Sequence, residues 1–126
     1  NQQDTDGFTA LMLAARSGHE SCVQALLRAK ANPDQQCKDK GLTALMLAAF
    51  EGHEACVQAL LRAKANPNQQ DTDGFTALML AARSGHESCV QALLRAKANP
   101  DQQCKDKGLT ALMLAAFEGH EACVQA

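Results

Sequence analysis

The sequence predicts an all-α solenoid, in which helix-turn-helix repeats stack side by side and β-hairpin-like loops line one edge. Residues 1–59 are identical, position for position, to residues 68–126. Inside this 67-residue unit lies an imperfect period of 33 or 34 residues, which is marked by Gly7, Gly41, Gly74 and Gly108. A fixed short period is typical of arrays in which each repeat buries its apolar face on the next.

Composition agrees with a thin, repetitive core. The 126 residues are 46% hydrophobic, but the aromatics are four Phe, with no Trp or Tyr. We therefore expect Leu, Ala and Val to meet at helix contacts, without a thick globular centre. The chain is predicted to be a single array over residues 1–126, whose approximate repeats are 1–34, 35–67, 68–101 and a truncated 102–126.

Charge and hydropathy exclude several classes of partner. Lys and Arg total 12 against 14 Asp and Glu, giving a net charge of −2. Nucleic-acid binding usually needs a clustered basic excess, so no nucleic-acid partner is expected. The longest candidate for a membrane span, residues 42–50, is far shorter than the roughly 18 residues needed, and no signal peptide is recognisable. Most of the six cysteines recur with the period, as core residues would, so the sequence predicts an intracellular, cytoplasmic protein.

Each repeat contains signals for two short helices. Thr43 is a candidate N-cap for a helix over 44–51, and Gly52 is suited to end that helix because glycine enters the left-handed region cheaply. A second helix is predicted from Glu54 to Ala63, and the dipeptide at 66–67, Asn-Pro, prevents its continuation. Helices of this length are unstable alone, so their apolar stripes must be covered by neighbouring pairs.

The residues of one repeat resemble those of a known family. The pattern Asp71-x-x-Gly74-x-Thr76-Ala-Leu78-x-Leu80-Ala81-Ala82-x-x-Gly85-His86, followed by Val90-x-x-Leu93-Leu94 and Ala98-Asn99, is similar to the ankyrin repeat. The resemblance extends over the whole chain. It implies a curved stack whose hairpin tips and first helices form a concave surface for binding other proteins, without catalysis.

Departures from the family pattern carry expectations of their own. The usual His of the first helix is replaced by Met12, Met46, Met79 and Met113, so we expect side-chain hydrogen bonds between neighbouring loops to be missing. The Gly that commonly ends the second helix is replaced by Lys30, Lys64 and Lys97. A left-handed backbone at each lysine would cost about 1 kcal/mol. One extra residue in 37–40 is expected to distort or widen that hairpin tip.

The sequence gives little support for a metal-binding or catalytic site. His and Cys recur three residues apart, at His19/Cys22, His53/Cys56, His86/Cys89 and His120/Cys123. Structural zinc needs four converging ligands, so core packing is favoured over metal binding. The aspartates of the loops, Asp4, Asp6, Asp71 and Asp73, are expected to form turns. The sequence predicts no enzyme, cofactor or metal site.

Two loop cysteines differ from the periodic ones. Cys37 and Cys104 lie beside Lys38 and Lys105 in polar segments. A nearby lysine favours the thiolate, so these are predicted to be the most reactive thiols. The alternatives are incidental exposed cysteines, or crosslinks between chains on oxidation.

Differences between the two half-units point to a recognition surface. Over thirty aligned residues five positions differ: Phe8/Leu42, Arg16/Phe50, Ser17/Glu51, Ser21/Ala55 and Asp34/Asn68. An exposed Phe50 is suited to anchor a partner, although it could instead pack under the neighbouring hairpin. The candidate partner-binding residues are Phe8, Arg16, Ser17, Leu42, Phe50, Glu51, Phe75, Arg83, Ser84, Leu109, Phe117 and Glu118.

Two functions remain open at this point. The first is a protein–protein interaction scaffold that binds its partner on the concave surface. The second is a structural or engineered array without a dedicated partner, whose uncapped end repeats stack head-to-tail into oligomers or filaments. A metal- or thiol-based activity is a distant third.

Overall fold

The computed structural model describes residues 7–105, 110–117 and 119, and for residue 117 it describes the backbone alone. Within these ranges there are seven helices and no strands. The helices are α1 (Ala10–Ser17), α2 (Glu20–Arg28), α3 (Ala44–Glu51), α4 (Glu54–Arg62), α5 (Ala77–Arg83), α6 (Glu87–Arg95) and α7 (Ala111–Phe117). This arrangement confirms the predicted all-α repeat solenoid.

The helix ends follow the predicted capping chemistry. Thr9, Thr43 and Thr76 precede the first helices, and each hydroxyl accepts a hydrogen bond from the amide of the methionine three residues later, at 3.2–3.3 Å. Gly18 and Gly52 end α1 and α3 with φ of 78°, a left-handed conformation in which the glycine amide reaches the last carbonyls of the helix.

Helices of the same kind stack in two layers. In the first layer α3 lies between α1 and α5, and α5 also contacts α7; in the second, α4 lies between α2 and α6. Because α3 is covered by two helices of its own layer and by α4, six of its eight residues are buried. In the second layer Leu60 and Leu93 are 0% exposed, whereas Leu26 is half-buried.

The hairpin-like loops are linked to one another along one edge. The amide of Thr72 donates to the carbonyl of Lys40, and the amide of Lys105 donates to that of Asp73, both at 3.0 Å. Gln36 Nε2 donates to the carbonyl of Gln70 at 3.0 Å. The expectation that side-chain hydrogen bonds between neighbouring loops are missing is therefore wrong, because Gln36 makes one.

The extra residue of the first described hairpin widens its tip, as predicted. The bond that closes the loop joins the amide of Cys37 to the carbonyl of Leu42, whereas in the next loop it joins Asp71 to Phe75. Both bonds are 2.9 Å long, but the first encloses one more residue.

Candidate functional site

A groove of about 390 Å³ opens between α3, α5 and the two loops that precede them. Its apolar lining comes from Leu42, Met46, Leu47, Phe50, Phe75 and Leu80. Its charged lining comes from Lys40, Glu51, Asp71, Asp73 and Arg83. The groove thus combines an apolar lining with charges of both signs, an arrangement that suits a peptide-like ligand better than a small charged one.

Phe50 provides the exposed aromatic side chain of this groove. It lies in the last turn of α3 and is 41% exposed, whereas Leu47, one turn earlier, is 8% exposed. The phenyl ring is therefore not buried under the neighbouring hairpin. Leu47 belongs to the buried core, so the two residues differ in role although both line the groove.

The corresponding positions in α1 and α5 hold arginine. The guanidinium of Arg16 lies 5.3 Å from the centre of the Phe8 ring, and that of Arg83 lies 5.0 Å from the Phe75 ring. These distances are those of cation–π contacts. Along the stack, an arginine resting on a phenylalanine therefore alternates with an exposed phenylalanine, Phe50.

The structure brings five of the sequence candidates together and leaves the others apart. Leu42, Phe50, Glu51, Phe75 and Arg83 line the groove. Phe8, Arg16, Ser17 and Ser84 do not line it; Leu109 and Glu118 lie outside the described residues, as does the side chain of Phe117.

Sequence comparison missed groove residues that do not differ between the half-units. Leu47 and Leu80 occupy the same position of α3 and α5. They lie three residues before Phe50 and Arg83, so helical spacing places them on the same face and could have identified them.

Asp71 has a structural role at the edge of the groove. Its side chain is buried, and Oδ1 accepts hydrogen bonds from the amides of Asp73 at 2.9 Å and Phe75 at 2.8 Å. Burial raises the pKa of this carboxyl, and the two amide hydrogen bonds oppose that shift. Asp71 thus forms a turn as predicted, and Asp4 and Asp6 lie outside the described residues.

The prediction for the loop cysteines is wrong. Cys37 and Cys104 are 5% and 6% exposed. The Cys37 sulfur also accepts a hydrogen bond from the amide of Leu42 at 3.3 Å. Cys37 occupies the place that Asp71 takes in the next loop, where the side chain points inward to close the turn. The polar residues around Cys37 in the sequence gave no indication that its side chain points inward.

The exposure of the periodic cysteines depends on their place in the stack. Cys56 and Cys89 are buried, which raises the pKa of both thiols, for Cys89 to about 11. Cys22 is exposed, contrary to the expectation of a core position, because no described residue covers the face of α2 opposite α4. Cys123 lies outside the described residues.

The histidines link successive helix pairs. His53 Nε2 lies 3.1 Å from the carbonyl oxygen of Arg16, and His86 Nε2 lies 2.9 Å from that of Phe50. Because a carbonyl can only accept, Nε2 carries the proton in both rings. Within the described part of the chain, no three His, Cys, Asp or Glu side chains are placed to hold a metal ion.

The helices of the described ranges are all too short or too polar to cross a lipid bilayer.

The stack and its groove define a helical repeat protein of the kind that presents an extended surface to other molecules. A family model described as ankyrin repeats (3 copies) matches residues 1–71 and again residues 56–126. The chain therefore belongs to the ankyrin-repeat family, as its sequence pattern indicated. Ankyrin repeats are generally protein–protein interaction modules. No curated protein matches the chain.

Proposed function

We propose that the chain is a non-catalytic scaffold that binds a partner protein in the groove between α3 and α5, with Phe50 as the anchor. The observation that supports this role is the exposed phenyl ring of Phe50 beside the apolar lining of the groove. Binding energy at protein interfaces is concentrated in a few such aromatic residues that fill a complementary pocket.

The surroundings of Phe50 favour a short peptide segment as the bound element. The apolar lining, which includes Leu42 and Phe75, suits one or two apolar side chains of the partner. Glu51 and Arg83 provide charges of opposite sign, which favour a partner with charges in the complementary order. The apolar residues would supply affinity, and the charges would set orientation.

Peptides selected from a phage-displayed random library on the 126-residue chain test this proposal. Because Phe117 repeats Phe50 in the sequence, both are replaced together, as Phe50→Ala with Phe117→Ala. We expect Kd for the selected peptides to rise about 30-fold, since an anchor aromatic contributes about 2 kcal/mol. Fluorescence polarisation with labelled peptides measures the change.

The chain offers a fold-compatible second variant. Arginine stands at the Phe50 position in α1 and α5, so Phe50→Arg with Phe117→Arg introduces a side chain that this helix already accepts. This variant should lose binding as well. Arg62→Ala, on exposed α4 surface outside the groove, should leave Kd within about twofold. Peptides that bind both double variants as tightly as the parent chain would remove the groove from the proposal.

A further inference from the structure

The second helix layer carries two equivalent clefts, away from the groove of Phe50. One of about 350 Å³ lies between α2 and α4, and one of about 310 Å³ lies between α4 and α6. Each residue that lines the first cleft has its counterpart one repeat later in the second, so that Gln24, Leu27 and Arg28 correspond to Gln58, Leu61 and Arg62. The facing wall holds two alanines and an arginine in both clefts. The two clefts are therefore one site that the stack repeats.

An arginine row runs along these clefts. It consists of Arg28, Arg62 and Arg95, which are the last residues of α2, α4 and α6 and are all exposed. Arg62 lines both clefts, so positive side chains alternate with clefts lined by leucine and alanine. Among the described residues, neither lining includes a carboxylate or an aromatic side chain. An exposed lysine follows each arginine two residues later, at Lys30, Lys64 and Lys97.

Glutamines separate the acidic residues of this layer from the arginine row. Gln58 Nε2 donates to Glu54 Oε2 at 2.9 Å, and its Oε1 accepts from Arg62 Nη2 at 3.3 Å. Gln24 holds Glu20 in the same way at 3.0 Å. The guanidinium of Arg62 thus meets a neutral oxygen, and because it has five N–H donors, most of them remain for a ligand.

We propose that the arginine row binds an acidic segment of a partner protein in the polyproline II conformation, with a glutamate or aspartate at every third residue. This conformation has three residues per turn, so every third side chain lies on the same side, about 9 Å from the last. Packed helices lie about 8–10 Å apart, which sets a similar spacing for the arginines that end α2, α4 and α6. Each carboxylate of the segment therefore meets one guanidinium.

Other anionic ligands match the row less well. Side chains on one side of a β-strand repeat at about 7 Å, which is too short for the arginine spacing. Single-stranded nucleic acid binds by stacking its bases on aromatic side chains, and the described linings have none. Proline rings between the acidic residues would instead cover the apolar surface of Leu27 and Leu61, and a polyproline II segment is already ordered before it binds.

Two peptides of the same composition test the spacing. The first is a fluorescein-labelled chain of three Glu-Pro-Pro triplets; the second carries the three glutamates next to one another, followed by the six prolines. Fluorescence polarisation with the 126-residue chain at low salt gives Kd for each. The spaced peptide should bind about fivefold more tightly, because the clustered one cannot reach all three arginines, and added salt should weaken its binding.

A double variant tests the arginines. Arg62→Gln with Arg95→Gln removes both guanidinium groups of the cleft between α4 and α6, and glutamine favours a helix about as well as arginine. Kd for the spaced peptide should rise about tenfold. Lys38→Gln with Lys105→Gln, at exposed positions of the loops, changes the net charge by the same amount and should leave Kd within about twofold. If circular dichroism shows a loss of helix in the arginine variant, Arg62→Gln alone takes its place and should raise Kd about threefold.

Several outcomes would overturn the proposal. Equal binding of the two peptides would show that the row recognises charge without spacing, and an unchanged Kd in the arginine variant, or an equal loss in the lysine variant, would place the peptide elsewhere. A nine-nucleotide oligothymidine that binds more tightly than the spaced peptide would assign the row to nucleic acid. Phe50 lines neither cleft and the peptides contain no aromatic residue, so this result and that of the groove experiment are independent.

Discussion

Three lysines end the second helices in a conformation that suits glycine. Lys30, Lys64 and Lys97 have φ of 71°, 69° and 71°. At Lys64, for example, the lysine amide donates to the carbonyl of Leu61, and the amide of the next residue donates to the carbonyl of Leu60. The left-handed residue thus brings two amides to the free carbonyls at the end of the helix. The sequence predicted the position of this strain, because glycine is usual there in the family.

Lys64→Gly should therefore stabilise the protein. Removing the side chain relieves a left-handed cost of about 1–2 kcal/mol, and the greater freedom of glycine in the unfolded chain cancels part of the gain. We expect a net increase of about 0.5–1 kcal/mol in the free energy of unfolding, measured by urea denaturation.

The adjacent residue provides the control for this substitution. Ala63 has φ of −83°, where glycine offers no relief. Ala63→Gly should therefore lower the free energy of unfolding by about 0.5–1 kcal/mol. The two neighbouring changes must have opposite signs; a loss at both positions would show that the lysine backbone stores no strain.

At the scale of the element, helix pairs are coupled through the histidine of each inter-helix turn. The His86 ring donates to the carbonyl of Phe50 and lies over Gly52, where an added Cβ would approach its Nδ1 to 2.7 Å. A methyl group does not fit under the ring, and φ of 78° also excludes most side chains. Gly52 therefore ends α3 and leaves room for the His86 ring of the next helix pair.

His86→Ala should weaken this coupling, and His19→Ala should not. The first change removes a hydrogen bond of 2.9 Å and the ring packing over Gly52, and we expect a loss of about 1–2 kcal/mol. His19 is the same residue of the same motif, but it is exposed, so its loss should stay within about 0.5 kcal/mol.

Both free energies of unfolding are measured by urea denaturation at a protein concentration low enough to keep the chain monomeric. Equal losses at the two positions would mean that the histidine acts within its own helix pair, and the proposed coupling would be wrong.

The elements were predictable from the sequence because their signals are local. Thr43 as cap, the run of strong helix formers in 44–51 and Gly52 as the end each act within a few residues, and the structure places the helix at these bounds. The groove was only half predictable. Phe50 was identified because it differs between the half-units, but Leu47 was not, since comparing copies cannot reveal what the copies share.

The direction of a side chain within a loop, and the exposure of a residue along the stack, are not set by the local sequence. The inward turn of Cys37 depends on how its loop closes on the amide of Leu42. The exposure of Cys22 depends on what lies beside α2, since the same residue is buried at Cys56 and Cys89. Periodicity shows that such positions are equivalent, but it does not show which copies are covered.

At the scale of the whole molecule, the position of a leucine in the stack determines how much it contributes to the free energy of unfolding. Leu60 and Leu26 occupy the same position of their helices, α4 and α2, and their local sequences are nearly the same. Leu60 is 0% exposed because α4 lies between two helices, while Leu26 is half-buried. Stability in such arrays is the sum of the contributions of single repeats and of the contacts between neighbours, so the two leucines should differ through the second term.

Leu60→Ala should therefore lower the free energy of unfolding by about 2–5 kcal/mol, the range for a leucine removed from a closed core. Leu26→Ala should cost less than about half as much, because part of the side chain already contacts solvent and the remaining space can fill with water. Urea denaturation of dilute monomer gives both values, and the slope of the transition must match that of the parent chain if each variant unfolds as one unit. A similar loss at the two positions would mean that each helix pair carries its own leucine core, and the chain would then be a row of nearly independent pairs instead of one cooperative stack.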